Sequence, residues 1–241
     1  MDRTIDLNAD IGEGSDDAPI LELVTSVSIA CGGHAGDEGS MKTAIKLAKR
    51  HGVHIGAHPS FPDRDGFGRV RLEMPLGELR VMLLEQVEAL MRVADRMRAT
   101  VFHCKPHGAL YTQAASDPIL AAMIAETLAE RHPELVLVGL ANSHLTEAGR
   151  DHGLKVVEEA FADRRYEPDG SLRPRRFLDA VITEPDEAAT QAAEIASGGF
   201  PMISEVGTIC VHGDTPGALA ITRAVREKLT QAGFTIAPVP C

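Results

Sequence analysis

Residues 55–69 read IGAHPSFPDRDGFGR, and the change of character inside this stretch decides the fold. It begins like the end of a buried strand and then turns abruptly into histidine, proline, aspartate, arginine and glycine. Pro59 and Pro62 stiffen the exit, while Gly66 and Gly68 permit a tight return. His58 is thereby aimed at whatever the strand end faces. In parallel α/β folds the C-terminal strand ends converge on one rim, and ligands bind there. The stretch therefore raises the question of whether other strands end the same way.

They do. Short apolar runs at residues 4–8, 27–30, 54–57, 101–105, 135–139, 155–159 and 208–212 read as strands, and 235–239 reads as an eighth strand or a tail. Amphipathic segments at 38–51, 75–97, 117–131, 143–151, 184–196 and 215–232 read as helices between them. Residues 161–179 form a long polar excursion of the kind that is functional or mobile. Strands alternating with helices imply a mainly parallel sheet. The expected fold is an α/β, distorted (β/α) barrel of about seven mainly parallel strands, one domain over residues 1–241; an open doubly wound sheet is the alternative.

Composition agrees. A chain of 241 residues with 44% hydrophobic and 24% charged residues can bury a sizeable core, and with 4% aromatics and no tryptophan that core is aliphatic. The formal charge of −11 argues against nucleic acid or an anionic membrane as partner. The first residues lack the apolar run of a signal peptide, and no stretch approaches a membrane span. Cys31, Cys104, Cys210 and Cys241 form no CxxC pair and read as buried thiols of a reducing cytoplasm, the expected location.

The strand exits carry Asn8, Asp10 and Glu13; His34 in a glycine-rich loop; His58; Lys105, His107 and Tyr111; Asn142 and His144; Glu159, Asp163, Arg164 and Tyr166; and His212 with Asp214. The strand entries show no comparable density of histidine and carboxylate. Each residue has an ordinary reading too. Asp10 and Asn8 can orient turns, and His34 can be a turn imidazole. Glu159, Asp163 and Arg164 can be a loop-ordering ion network. His212 and Asp214 can open a helix. His51, His103, His132, His144 and His152 are read as structural. Collectively the set suits proton transfer near neutral pH, with lysine and arginine to neutralise an oxyanion or phosphate. No GxSxG elbow and no GxxxxGK[ST] loop is present, so attack by an activated water on a carbonyl-type carbon is the simplest chemistry.

DLNADIGEG (6–14), ACGGHAGD (30–37), GAHPSFPDRDGFGR (56–69), KPHGALY (105–111), FADRRY (161–166) and CVHGD (210–214) together resemble the LamB/YcsF family. The resemblance implies a deacetylase-like barrel of seven strands. It implies ATP-dependent opening of the lactam of 5-oxo-L-proline to L-glutamate, with the B and C subunits of 5-oxoprolinase as partners. ATP, with Mg2+, would be handled wholly or partly by those partners. Asp10 or His58 would be the base among a catalytic set of Asp10, His34, His58, Lys105, His107, Glu159 and Asp163. Asn8, Arg64, Arg69, Tyr111, Arg164, His212 and Asp214 would bind substrate or anions. Arg64 or Arg69 can alternatively pair with Asp63 or Asp65. By analogy with deacetylase-like barrels, Asp10, His58 and His107 would hold a divalent metal. Gly33, Thr112 and the run RFLDAVI after Arg175 depart from the family pattern; Gly33 is expected to loosen its loop and the run to alter substrate contacts. Two other readings are a stand-alone metal-dependent amidohydrolase or deacetylase, and a non-catalytic substrate-binding subunit.

Overall fold

The computed structural model describes residues 3–14, 16–203 and 206–239. Seven parallel strands close into a barrel: β1 (Arg3–Ile11), β2 (Ser26–Ala30), β3 (His54–His58), β4 (Val101–Cys104), β5 (Val136–Leu140), β6 (Val156–Phe161) and β7 (Thr208–Cys210). They run in chain order from β2 to β7, and β1 pairs with both β7 and β2 to seal the ring. Closure removes sheet edges, which settles the choice against the open sheet. A short β8 (Phe234–Ile236) pairs with the first residues of β1, Arg3 to Ile5, outside the ring.

The helices are α1 (Glu38–His51), α2 (Leu76–Arg96), α3 (Gly108–Ser116), α4 (Pro118–Arg131), α5 (His144–Asp151), α6 (Pro185–Ala196) and α7 (Ala218–Gln231). Their ends are set by local chemistry. Asp37 caps α1 by accepting from Ser40 N at 2.8 Å while Ser40 Oγ accepts from Asp37 N, a reciprocal capping box. Asp117 caps α4, whose first residue is Pro118, where a missing donor costs nothing. Leu79, Leu83, Val87, Leu90 and Val93 give α2 one buried stripe at helical spacing. The main core lies between this helical ring and the outward strand faces, built from side chains such as Leu7, Ile29, Ile45, Leu83, Ile124 and Ile209.

The structure differs from the sequence expectation in four places. β1 runs to Ile11, so Asp10 lies within the strand rather than beyond it. α3 begins directly after His107, in a segment expected to be loop. The eighth strand sits slightly earlier than the expected run. The polar excursion is an ordered flap: Arg165 N donates to Ala180 O, Arg173 N to Arg165 O and Glu167 N to Ser171 O, so these backbone groups are satisfied internally.

The lumen is polar where a barrel is more often filled by branched apolar side chains. Asp6, Asn8 and Asp10 alternate along β1 and are all buried, alongside Ser26, Ser28, His103, Lys105, Glu159 and Thr208. His103 fits only because position 56 is glycine, since a Cβ there would collide with the imidazole ring. The strands that carry these residues have one polar and one apolar face, and the polar faces meet at the centre. The result is a charged floor beneath the strand exits.

Candidate active site

The floor is a cluster around Lys105, which follows the last residue of β4. Its Nζ lies 2.7 Å from Asp10 Oδ1 and donates to Glu159 Oε1 and Asn8 Oδ1, each at 3.0 Å. Tyr111 Oη donates to Glu159 Oε2 at 2.8 Å. Burial works against every charge here, yet Asp10 and Glu159 hold the Lys105 ammonium well above the usual lysine range. Burial likewise opposes ionised Asp10, but His58 and Lys105 hold it well below the usual carboxylate range. Asp10 is thus a fixed negative charge.

Above the floor stand His58, the last residue of β3, and His107, the residue capping α3. His58 Nδ1 lies 2.7 Å from Lys105 O, and His107 Nε2 lies 2.9 Å from Phe67 O. A carbonyl oxygen can only accept, so each of these nitrogens carries its hydrogen. The remaining nitrogens, His58 Nε2 and His107 Nδ1, face one another at 2.9 Å. With both rings neutral, two lone pairs would meet there. A proton on one ring, or a cation between them, is required to reconcile the geometry. Asp10 Oδ2, 3.3 Å from His58 Nε2, supplies the compensating charge.

Two further groups complete this centre. Glu13 Oε1 lies 2.7 Å from His34 Nε2 and 3.5 Å from His107 Nδ1. The His34 and His107 rings stack with centroids 3.6 Å apart. Burial pushes the Glu13 carboxyl up to about 7 and the His34 imidazole down to about 4. His107 is pushed well below the ordinary histidine value by burial, then by His58 and His34. One ligand atom from each of Glu13, His34, His58 and His107 lies within 4.8 Å of all the others, so the four form a group that could hold a metal ion. The donor set suits zinc or a similar cation, and the carbonyl partners of His58 and His107 orient their free nitrogens as metal-bound histidines require. Asp10, expected in that set, is instead committed to Lys105; Glu13 and His34 take its place.

The β3 exit that carries His58 is clamped from outside the barrel. Gln86 of α2 accepts from Ser60 N at 3.0 Å and donates to Ser60 O at 2.8 Å, imitating a neighbouring strand. Gly33 lets the β2 loop pack onto this clamp, because a Cβ there would collide with Ser60 Oγ and Gln86 Oε1. The expectation that Gly33 loosens the loop is therefore corrected: it permits the tight fit.

Asp10, His58, Lys105 and His107 open into a cavity of about 260 Å³, whose other walls include Arg69, Tyr111, Phe161, Arg164, Arg175 and His212. On the β6–β7 side, buried Asp163 accepts from His212 N and Thr215 Oγ1 and lies 2.9 Å from His212 Nδ1. Burial opposes its charge, but His212 and these hydrogen bonds hold it below the ordinary carboxylate value. The site is thus a small chamber with a charge-balanced floor, an imidazole wall and an arginine wall.

A model of the LamB/YcsF family matches residues 5–241. The chain belongs to the LamB/YcsF family. Two relatives are named as A subunits of 5-oxoprolinase. The one from Chloroflexus aggregans is 46% identical over 246 residues, covering 97% of this chain and 98% of the relative. The one from Methylococcus capsulatus is 46% identical over 252 residues, covering 98% and 96%. The crystal structure of the lactam utilization protein from Thermus thermophilus superposes with a TM-score of 0.89 at 39% identity, covering 97% of this chain and 99% of that one.

In this LamB/YcsF chain the structure sorts the expected residues. Asp10, His34, His58, Lys105, His107 and Glu159 meet in one place. Tyr111, Arg164 and His212 line the chamber beside them, and Asp163 lies behind His212. Asn8 lies beneath Lys105 and holds it and Glu159, so it positions the floor rather than meeting a ligand. Arg69 pairs with Asp214 at 2.5 Å, not with Asp63 or Asp65, and the two form part of the rim. Arg64 is a correction: it is exposed and its guanidinium donates to Gly32 O and Gly36 O, tying down the β2 loop away from the cavity. The sequence assigns no role to Glu13 or Arg175, and the structure brings both to the site. Glu13 is visible in DLNADIGEG, but only folding of the loop after β1 brings it to the histidines. Among the described residues no helix is long and apolar enough to cross a membrane.

Proposed function

We propose that this chain is the A subunit of an ATP-dependent 5-oxoprolinase and that its chamber opens the lactam of 5-oxo-L-proline to L-glutamate. The observation that carries the reading is the His58–His107 contact above the Asp10–Lys105–Glu159 floor, set in a chamber sized for a small polar molecule. The names of relatives at 46% identity support the substrate.

A lactam is a stabilised amide, so its oxygen must be activated before water adds. Phosphorylation of that oxygen by ATP turns it into a leaving group. Water then adds to the ring carbonyl carbon and the C–N bond breaks as the freed nitrogen takes up a proton, leaving an acyl phosphate that a second water hydrolyses to L-glutamate and inorganic phosphate. This chain has no phosphate-cradling loop in its sequence, so the phosphoryl step is assigned wholly or partly to the partner B and C subunits, with ATP and Mg2+. The proton steps belong here. Asp10, held ionised by His58 and Lys105, is a poor base; Glu13, pushed up to about 7 by burial, is matched to moving a proton near neutrality, and the facing nitrogens of His58 and His107 are placed to pass one on. The sequence reading has Lys105 bind an anion, but its charge is balanced by Asp10 and Glu159, so it fixes the floor. A divalent cation held by Glu13, His34, His58 and His107 would supply Lewis acidity and a more acidic water. The protein is read as a single cytoplasmic barrel domain.

The test is reconstitution with B and C subunits, following glutamate formation with and without ATP. Glutamate formed only by the complete complex with ATP supports the division of labour; full-rate hydrolysis by this chain alone would sink it. The four-residue metal group favours one second reading, a stand-alone metal-dependent amidohydrolase. Activity that follows bound metal, measured by elemental analysis, and ignores ATP would select that reading.

A further inference from the structure

Most arginines of the rim and of the segment between β6 and β7 are paired or, like Arg176 over the Phe177 ring, exposed. Arg165 pairs with Glu187 at 2.6 Å, Arg173 pairs with Asp179 at 2.8 Å and Glu167 at 3.0 Å, and Arg69 pairs with Asp214 at 2.5 Å. Their charges are spent within the protein. Arg164 and Arg175 differ. Arg164 is only 5% exposed, and its guanidinium donates to two main-chain carbonyls, Ala180 O and Arg173 O; no carboxylate pairs with it among the described residues. The Arg175 side chain makes no hydrogen bond or ion pair among the described residues, yet it too lines the chamber.

Burying an uncompensated guanidinium costs stability, and in a chain of net charge −11 carboxylates to pair with it are plentiful. Burial depresses both groups, as do the neighbouring cations Arg175 and Arg69 respectively; Asp163 offsets this in part at Arg164, and Asp214, Asp163 and Glu13 in part at Arg175, but none of these carboxylates forms an ion pair with either guanidinium. Such a pair is explained by an anion that arrives with the ligand. Lys105 cannot serve, because Asp10 and Glu159 already balance it.

We propose that Arg164 and Arg175 form an oxyanion subsite that takes the carboxylate of the lactam substrate; this rests on the 5-oxoprolinase reading above. A guanidinium matches a carboxylate through paired N–H donors, giving orientation as well as attraction. Arg164 follows β6, three strands around the ring from His58 on β3, so the subsite and the imidazole wall face each other across the mouth. A 5-oxoproline anchored by its carboxylate at the arginine wall presents its ring carbonyl toward His58 and His107. Arg164 also holds the flap in place, whereas Arg175 is left free for the ligand. The same chemistry would accept a phosphoryl oxyanion, and the test separates the two.

Calorimetric binding to the full chain is measured with 5-oxo-L-proline, its uncharged 5-oxo-L-prolinamide and inorganic phosphate, for the wild type and for Arg175→Gln. Arg175 spends no hydrogen bond or ion pair on the described residues, so the variant should keep the wild-type melting temperature. The expected result is that the wild type prefers the carboxylate over the amide by about ten-fold or more, and that Arg175→Gln abolishes this preference without weakening amide binding. Equal wild-type affinity for carboxylate and amide overturns the subsite while leaving the lactam reading intact. Loss of both ligands together in the variant also overturns it. Phosphate binding that depends on Arg175, with neither lactam bound, overturns the carboxylate assignment in favour of a phosphoryl group. If none of the three binds, both the subsite and the lactam reading fall.

Discussion

Asp6 and Asp10 lie on the same strand, face the same lumen and are similarly buried, at 2% and 5% exposure, yet their environments drive them apart. Deep in the lumen, Asp6 accepts hydrogen bonds from the hydroxyls of Ser26, Thr25 and Thr208. Burial outweighs these bonds and raises its carboxyl above the ordinary value. At the mouth, Asp10 meets the imidazole of His58 and the ammonium of Lys105, which overcome burial and hold it ionised. Burial alone therefore does not set charge state; the charge of the partner does. In the deep lumen burial disfavours the carboxylate charge, and at the mouth neighbouring cations favour it, at the place where the proposed chemistry sits.

The most damaging way to break this contrast is to remove the cation. Lys105→Met leaves the buried carboxyls of Asp10 and Glu159 without the ammonium they share and should cost about 3–5 kcal/mol in denaturant unfolding. A loss below ~1 kcal/mol would mean that the cluster is not charge-balanced as described. Next comes Gly33→Ala, whose Cβ must displace Ser60 or Gln86 beneath the His58 exit, with an expected cost of about 1–3 kcal/mol. A stable Gly33→Ala protein would show that the clamp has slack.

The pH dependence of stability sharpens the contrast by its sign. Asp10 has a depressed folded value, so its contribution is present above the ordinary carboxylate range, 3.8 in the unfolded chain, and is lost as pH falls through the folded value. Asp6 has a raised folded value, so the folded state binds its proton more tightly and stability falls as pH rises from 3.8 through that value. Relative to wild type, Asp10→Asn should be most destabilised near neutrality and converge with it in acid. Asp6→Asn should converge in acid as well, but drift toward greater relative stability as pH rises. Melting temperatures across that range check both slopes, and parallel curves for the two variants would contradict the assignment. The smallest effect belongs to Arg64→Ala, which loses two exposed hydrogen bonds to carbonyls. It should cost about 1 kcal/mol or less and leave the Michaelis constant for substrate unchanged.

Much of the site is legible in the sequence because its residues cluster at strand exits, and the parallel topology carries exits to one rim. His58, Lys105, His107, Asp163 and Arg164 are found this way. What escapes depends on how chain segments return to the rim. Nothing local shows that Glu13, two residues past β1, folds back onto His34 and His107. Arg64 and Arg69 sit in the same turn with similar surroundings; only the fold sends one to the main chain of the β2 loop and the other to Asp214. The α3 start is hidden by the glycine at position 108, which reads as a loop but takes up a positive φ of 56° where the backbone approaches Gly68. The polar lumen is also illegible. Asp6, Ser26, Ser28 and Thr208 look like ordinary solvent-facing alternation until the sheet closes and turns that face inward.

Central to this account is that the mouth's imidazole pair handles the proton in lactam opening. Its most direct test is glutamate formation from 5-oxo-L-proline by this chain reconstituted with the proposed B and C subunits, in the presence of ATP, with His58→Asn compared against the unaltered chain. The account predicts that the variant assembles and keeps its fold but turns over about 10²–10⁴-fold more slowly. Turnover at the rate of the unaltered chain would place the chemistry elsewhere.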